Sequence, residues 1–140
     1  METKNIGAFG ELISAGMLLK DGFIISFPTT LTPYDCIIDY KGLLQKVQVK
    51  TSMKSTAPGS YTFNVHRTGY KREPTPYTKE EADAIVAVIW DEEYNIFQIY
   101  NIPIEEVLDI LRLVLRPTLP SDQDTFDKYP FERFRTEWLR

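Results

Sequence analysis

The hydrophobic period of the chain changes several times, and each change marks an element. In residues 6–20, IGAFGELISAGMLLK, the apolar residues Ile6, Phe9, Ile13 and Met17 recur at helical spacing, and Asp21-Gly22 supplies a glycine stop. This predicts an N-terminal helix that carries Glu11. Three apolar runs follow: FIISF (23–27), closed by Pro28, then YDCIID (34–39), then LLQKVQVKTS (43–52). They are rich in β-branched and apolar residues, with a Lys41-Gly42 turn between the last two, and they predict a three-strand meander. SYTFNVH (60–66) alternates Tyr61, Phe63 and Val65 and predicts another strand, followed by a polar loop, RTGYKREPTPYTKEEA. DAIVAVIWD (83–91) reads as a buried central strand and YNIFQIYNI (94–102) as its hairpin partner. A second helix is predicted over PIEEVLDILRLVLRP (103–117), where Ile104, Val107, Leu108, Leu111 and Leu115 form one stripe. Glu105 and Glu106 in its first turn and Arg112 and Arg116 near its end suit the helix dipole, and Pro117 stops it. TLPSDQDTF reads as a loop, and DKYPFERFRTEWLR as an aromatic, basic tail that docks on the body or on another subunit.

One of these runs raises a chemical question. In PYDCIIDYKGLLQKVQVKTS (33–52), Gln48 and Lys50 lie two apart in an otherwise apolar strand, shortly after Asp35 at the head of another. Residues two apart share a face, so Val47 and Val49 take the other one. Such a strand buries one face and works with the other.

Composition narrows the setting. A chain of 140 residues, 43 % hydrophobic and 26 % charged, is expected to form one compact soluble domain. The opening METKNIGAFGEL has no basic segment before a long apolar run, and no stretch approaches the roughly 18 apolar residues of a membrane span, so a cytoplasmic protein is expected. The single cysteine, Cys36, has no partner for an internal disulfide and reads as a buried structural thiol. The net charge of −4 conceals an asymmetry. Residues 41–80 carry eight lysines and arginines against Glu73 and Glu80, a net charge of +6; residues 81–127 carry eleven carboxylates against Arg112 and Arg116, a net charge of −9. A basic middle segment is the footprint of a polyanionic partner, although a charge run also serves simply as a solvated face.

Several chemistries fall away. One His and one Cys exclude zinc fingers and ribbons, and no nucleophile–histidine arrangement has a supporting context. GAFGE opens a helix without a preceding strand, so it is no phosphate loop. Carboxylates and a lysine remain. A hard divalent cation such as Mg²⁺ needs one or two carboxylates plus waters and substrate oxygens, and a nearby lysine orients an attacking water. Glu11, Asp35 and Lys50 meet that need if the helix packs beside the two strands. Asp39 is the local rival of Asp35, but it lies toward the turn. Asp83 has only its position at a strand start to speak for it.

GAFGELISAGMLLKDGFIISFP, YDCIIDY and LQKVQVKTS together resemble the core of the PD-(D/E)xK nuclease superfamily: a helix with a Glu, a strand beginning at an Asp, and a hairpin to a strand ending in an acidic or amide residue, any residue, then Lys. Within it the chain is most similar to small group I intron homing endonucleases of cyanobacterial type, and also to archaeal Holliday-junction resolvases. The resemblance covers residues 7–52, and the later strand pair is similar too. It implies an α/β fold, a mixed central β-sheet flanked by helices, as in restriction endonucleases. It also implies that Asp35 ligates a catalytic Mg²⁺, for which Mn²⁺ can substitute, that Glu11 completes the site, that Lys50 positions the water, and that the Val49 carbonyl adds a ligand. Gln48 stands where Glu or Asp is expected; its amide oxygen coordinates more weakly, which bears on metal stoichiometry and rate.

The function this implies is metal-dependent, site-specific hydrolysis of double-stranded DNA. The alternatives are a Holliday-junction resolvase-like enzyme and a non-catalytic DNA-binding protein that keeps the fold. DNA contacts are expected from loops at about 52–60 and 66–80 through Lys54, His66, Arg67, Tyr70, Lys71 and Arg72; His66 reads equally as a surface loop residue, and Tyr70 as packing under the loop. One site cuts one strand, so a homodimer or tetramer is expected, paired through the 103–116 helix or the aromatic part, 126–140, of the C-terminal tail 118–140, in the cytoplasm and on the nucleoid when bound.

Overall fold

The structure is a computed structural model that describes residues 2–53, 55–57, 60–67, 73–91 and 96–115. Its first element, α1 (Thr3–Lys20), ends where the Asp21 and Gly22 N–H groups bond back to carbonyls of its last turn, with Gly22 at φ 91° in the left-handed region. The expected contact stripe is displaced by one residue. Gly10, Ser14 and Leu18 are buried, while Ile6, Phe9 and Ile13 flank them half-buried and Met17 is exposed. The cause is steric: α1 lies so close to the sheet that a Cβ on Gly10 would fall 1.7 Å from Thr51 Oγ1. A step of one residue is a rotation of about 100°, and it brings Glu11 to the margin of the contact face.

The meander is present as β1 (Ile24–Ser26), β2 (Cys36–Tyr40) and β3 (Leu43–Ser52), successive antiparallel neighbours. Its second turn has positive φ at both Lys41 and Gly42, as a two-residue type I′ hairpin requires, and Asp39 Oδ1 accepts the Gly42 N–H at 2.9 Å. Asp39 thus belongs to β2 and its side chain braces the turn. β8 (Ala84–Asp91) lies parallel to β3 and antiparallel to β9 (Ile96–Pro103), giving a mixed sheet in the order β1-β2-β3-β8-β9. Asp83 pins the parallel register. Its N–H donates to the Lys46 carbonyl at 2.8 Å, and its Oδ2 accepts the Lys46 N–H at 2.8 Å. Ile85, Val86, Ala87 and Val88 are fully buried, so β8 is covered on both faces, as its unbroken apolar run predicts.

The second helix expected over 103–117 is absent from the described part of that segment. Ile104–Glu106 form one 3₁₀ turn, and the chain then turns into β10 (Arg112–Leu115). β10 pairs antiparallel with β5 (Ser60–Asn64), which also pairs with β4 (Ser55–Ala57). Ile104, Val107 and Leu115 fit a helical stripe, yet all three are buried in this arrangement. What decides between the two is β5, whose open edge a strand can satisfy and a helix cannot. Leu113 and Leu115 alternate inward while Arg112 points out, and a helix this short has little stability of its own to oppose that pairing. The mixed sheet with a helix packed on it is thus as expected, while strands cover its other face. Ile104, Val107, Leu113 and Leu115 thus serve this chain's own core while Leu111 stays exposed, and the described part of the segment offers no helix for pairing subunits.

Two apolar layers result. Leu18, Phe23, Cys36, Ile38, Val47, Val49 and Val86 fill the α1 side, and Phe63, Val65, Ile85, Ile89, Tyr100 and Leu113 fill the side of the second sheet. A short ribbon of β6 (His66–Arg67) with β7 (Thr75–Pro76) joins the end of the expected 60–66 strand to the expected polar loop. Among the described residues no helix is long and apolar enough to cross a membrane.

Candidate active site

The site begins where β2 ends before β3 does. Their pairing stops at Cys36 opposite Val47, with the Asp35 N–H still reaching the Val47 carbonyl at 2.9 Å. From Gln48 to Ser52, β3 has β8 on one side only. Asp35 closes the first part of the other edge, its Oδ2 accepting the Val49 N–H at 2.7 Å. The N–H and C=O of an extended residue point to the same side, so the Val49 carbonyl opens on that edge too. Glu11 arrives from α1, one residue beyond the Gly10–Thr51 contact. Two grooves meet here. Glu11, Gln48, Val49 and Lys50 line one of about 870 Å³ that runs along α1 to Thr3, while Asp35, Gln48, Lys50, His66, Arg67 and Tyr77 line another of about 440 Å³. Gln48, Lys50 and Asn64 border both.

The electrostatics follow from partial burial. Desolvation raises the Asp35 pKa, against the opposing pull of the Val49 N–H and Lys50. Glu11 is also raised, by burial and then by the negative charge of Asp35, with Lys50 opposing. Burial lowers the pKa of Lys50, and both carboxylates counter that. The three groups therefore feel one another. Burial, and then the negative charges of Asp35 and Glu11, push the Cys36 thiol up to about 11, which keeps it protonated and unreactive. Two carboxylates that repel each other in a half-dry site are relieved by a cation. Among the described residues no cluster of three or more His, Cys, Asp or Glu stands ready to hold a metal. Two carboxylates, an amide oxygen and a backbone carbonyl nevertheless fit a hard ion that keeps several waters, as Mg²⁺ does.

The structure thus brings together Glu11, Asp35, Gln48, Lys50 and the Val49 backbone. His66 and Arg67 line the adjoining groove, where Arg67 forms an ion pair with Glu81. Lys54, Tyr70, Lys71 and Arg72 lie outside the described residues. Sequence reasoning missed Asn64, Tyr77 and Glu81. For Glu81 a signal exists: Thr78-Lys79-Glu80-Glu81 has the capping-box spacing, and Glu81 Oε1 accepts the Thr78 N–H at 2.9 Å. Nothing in the sequence singles out Tyr77, which comes from a stretch read as a polar loop.

The mixed sheet thus presents an aspartate, an amide and a lysine at one open strand edge, with a glutamate from the helix beside it. The PD-(D/E)XK endonuclease model matches residues 1–129, and the chain belongs to that family. Among solved structures it is similar to that of a bacterial homing endonuclease, I-Ssp6803I, at 26 % identity and a TM-score of 0.77. That match covers 99 % of this chain and 94 % of the other. No curated protein matches.

Proposed function

We propose that this chain is a site-specific, homing-endonuclease-like enzyme that hydrolyses phosphodiester bonds of double-stranded DNA with a divalent cation. The observation that carries the reading is the meeting of Asp35, Glu11 and Lys50 at the open edge of β3. Asp35 and Glu11, with the Gln48 amide oxygen and the Val49 carbonyl, hold the ion, Mg²⁺ or in its place Mn²⁺. When bound, it neutralises charge that develops on the phosphoryl oxygens. Lys50 hydrogen-bonds the attacking water and directs it at phosphorus, and the Val49 N–H keeps the Asp35 carboxylate turned to its task. Water forms the new P–O bond as the bond to the 3′-oxygen breaks, leaving 5′-phosphate and 3′-hydroxyl ends. Arg67 and His66 in the adjoining groove take the backbone phosphates. One site cuts one strand, so a duplex break needs a dimer or tetramer of this single nuclease domain, acting in the cytoplasm on the nucleoid.

Incubation with a complex DNA pool and a four-way junction, followed by sequencing of the ends, tests this. The expected result is paired, Mg²⁺-dependent cuts at one long duplex site. Cutting of the junction alone would replace the reading with a resolvase, and specific DNA binding without cutting in any metal would leave a binding protein.

A further inference from the structure

Tyr77 is a second group beside the reacting edge, one that the assigned roles leave unused. It is 5 % exposed, comes from the chain between β7 and β8, and lines the groove with Asp35, Gln48 and Lys50. Its ring faces the lysine: the Lys50 Nζ lies 5.6 Å from the ring centroid, within the range in which an ammonium is attracted to an aromatic face. Phe63, Val65 and Ala82 belong to the same buried cluster as the ring. It is therefore a fixed surface, whereas the four-carbon stem of a lysine is flexible.

We propose that Tyr77 is a positioning residue for the nuclease reaction: its ring face holds the Lys50 ammonium toward the groove, so that the lysine meets the water in one geometry. This rests on the nuclease reading given above. Burial and the neighbouring Asp35 push the Tyr77 phenol up to about 12, so it stays neutral across the working pH range, and the part of it that Lys50 meets is the ring face. A salt bridge would fix the lysine too, but Asp35 and Glu11 are committed to the cation. An aromatic face restrains the ammonium without competing for those oxygens.

The test compares Tyr77→Phe, which keeps the ring, with Tyr77→Met, which fills similar space without one. Three quantities are read on the full chain: the single-turnover cutting rate at saturating DNA and Mg²⁺, the DNA Kd in EDTA, and the ring-current shift of the Lys50 Hε protons by NMR. The inference predicts that Tyr77→Phe cuts within about twofold of wild type and keeps the shift. Tyr77→Met should lose the shift and slow about tenfold, the middle of the range for a partly desolvated cation–π contact, with its Kd unchanged. A Tyr77→Met protein that cuts like wild type overturns the inference. So does slowing by Tyr77→Phe, which would transfer the role to the hydroxyl. Should wild type cut no DNA, the nuclease reading fails and the catalytic half of the inference with it; an absent shift in wild type would sink the contact itself.

Discussion

Replacing Gly10 by alanine probes how the fold places Glu11. The added methyl would lie 1.7 Å from Thr51 Oγ1, 2.8 Å from Thr51 Cβ and 3.0 Å from Cγ2. Rotating Thr51 clears the hydroxyl but leaves its Cβ, which is short of a normal carbon contact by about 0.7 Å. Helix α1 must then move by that order. Overpacking of this kind costs about 1–3 kcal/mol, and the better helix propensity of alanine returns about 1 kcal/mol. A net loss of about 1 kcal/mol lowers Tm by about 3 °C in a domain of this size. The effect on chemistry is larger, because Glu11 moves with the helix. A misplacement of about 1 Å can cost 100-fold in rate, so single-turnover cutting should fall by about 10- to 100-fold. Gly16→Ala is the control: nothing lies within 4 Å of its Cβ position, so it should gain stability and cut normally. If Gly10→Ala behaves as Gly16→Ala does, the close docking of α1 on β3 is wrong, and so is the route by which Glu11 reaches the site.

Further outcomes follow from the same geometry. The folded-state pKa values of Asp35 and Glu11 are raised, so between the unfolded and folded values the native state holds more protons and the metal-free protein gains stability as pH falls through the folded values. In EDTA at neutral pH, Asp35→Asn should therefore melt above wild type, with the advantage shrinking toward pH about 4, and should cut no DNA; a lower melting point in calorimetry would contradict the desolvation argument. Gln48→Glu supplies a third carboxylate: the Mg²⁺ concentration for half-maximal cutting should fall and metal-free stability at neutral pH should drop, whereas an unmoved metal midpoint would remove Gln48 from the ligand set. Leu113→Ala, at a fully buried β10 position, should cost about 2–4 kcal/mol in denaturant melts, and a loss below about 0.5 kcal/mol would restore the surface-helix reading of that segment.

The parts of the fold legible in the sequence are those whose pattern has one solution. β3 is observed over Leu43–Ser52, the predicted range, because Gln48 and Lys50 alternate with buried Val47 and Val49 and Lys41-Gly42 fixes the hairpin before it. The unbroken apolar run of β8 admits a strand covered on both faces. Residues 104–115 were not legible, since Ile104, Val107 and Leu115 serve a helical stripe and a strand-turn arrangement equally well. The choice there is made by the edge of β5, about fifty residues earlier in the chain. The face of α1 was hidden for a related reason: hydrophobicity marks Phe9 and Ile13, but closeness marks Gly10, and only the position of Thr51 shows that. The site follows this division. Glu11, Gln48 and Lys50 sit on elements with clear periods and Asp35 immediately precedes one, while Tyr77 enters from a segment whose placement depends on the completed sheet.

The most direct test of the central claim is relaxation and linearisation of a supercoiled plasmid that carries the duplex site recovered from the DNA pool, by wild type and by Lys50→Ala, each in Mg²⁺ and in EDTA. The account predicts nicking or cutting by wild type in Mg²⁺ alone, and a loss of at least about 100-fold in the variant with its fold and DNA binding intact. Equal cutting by the two proteins, or cutting that persists in EDTA, would contradict the assignment of Asp35, Glu11 and Lys50 as a metal-dependent hydrolytic site.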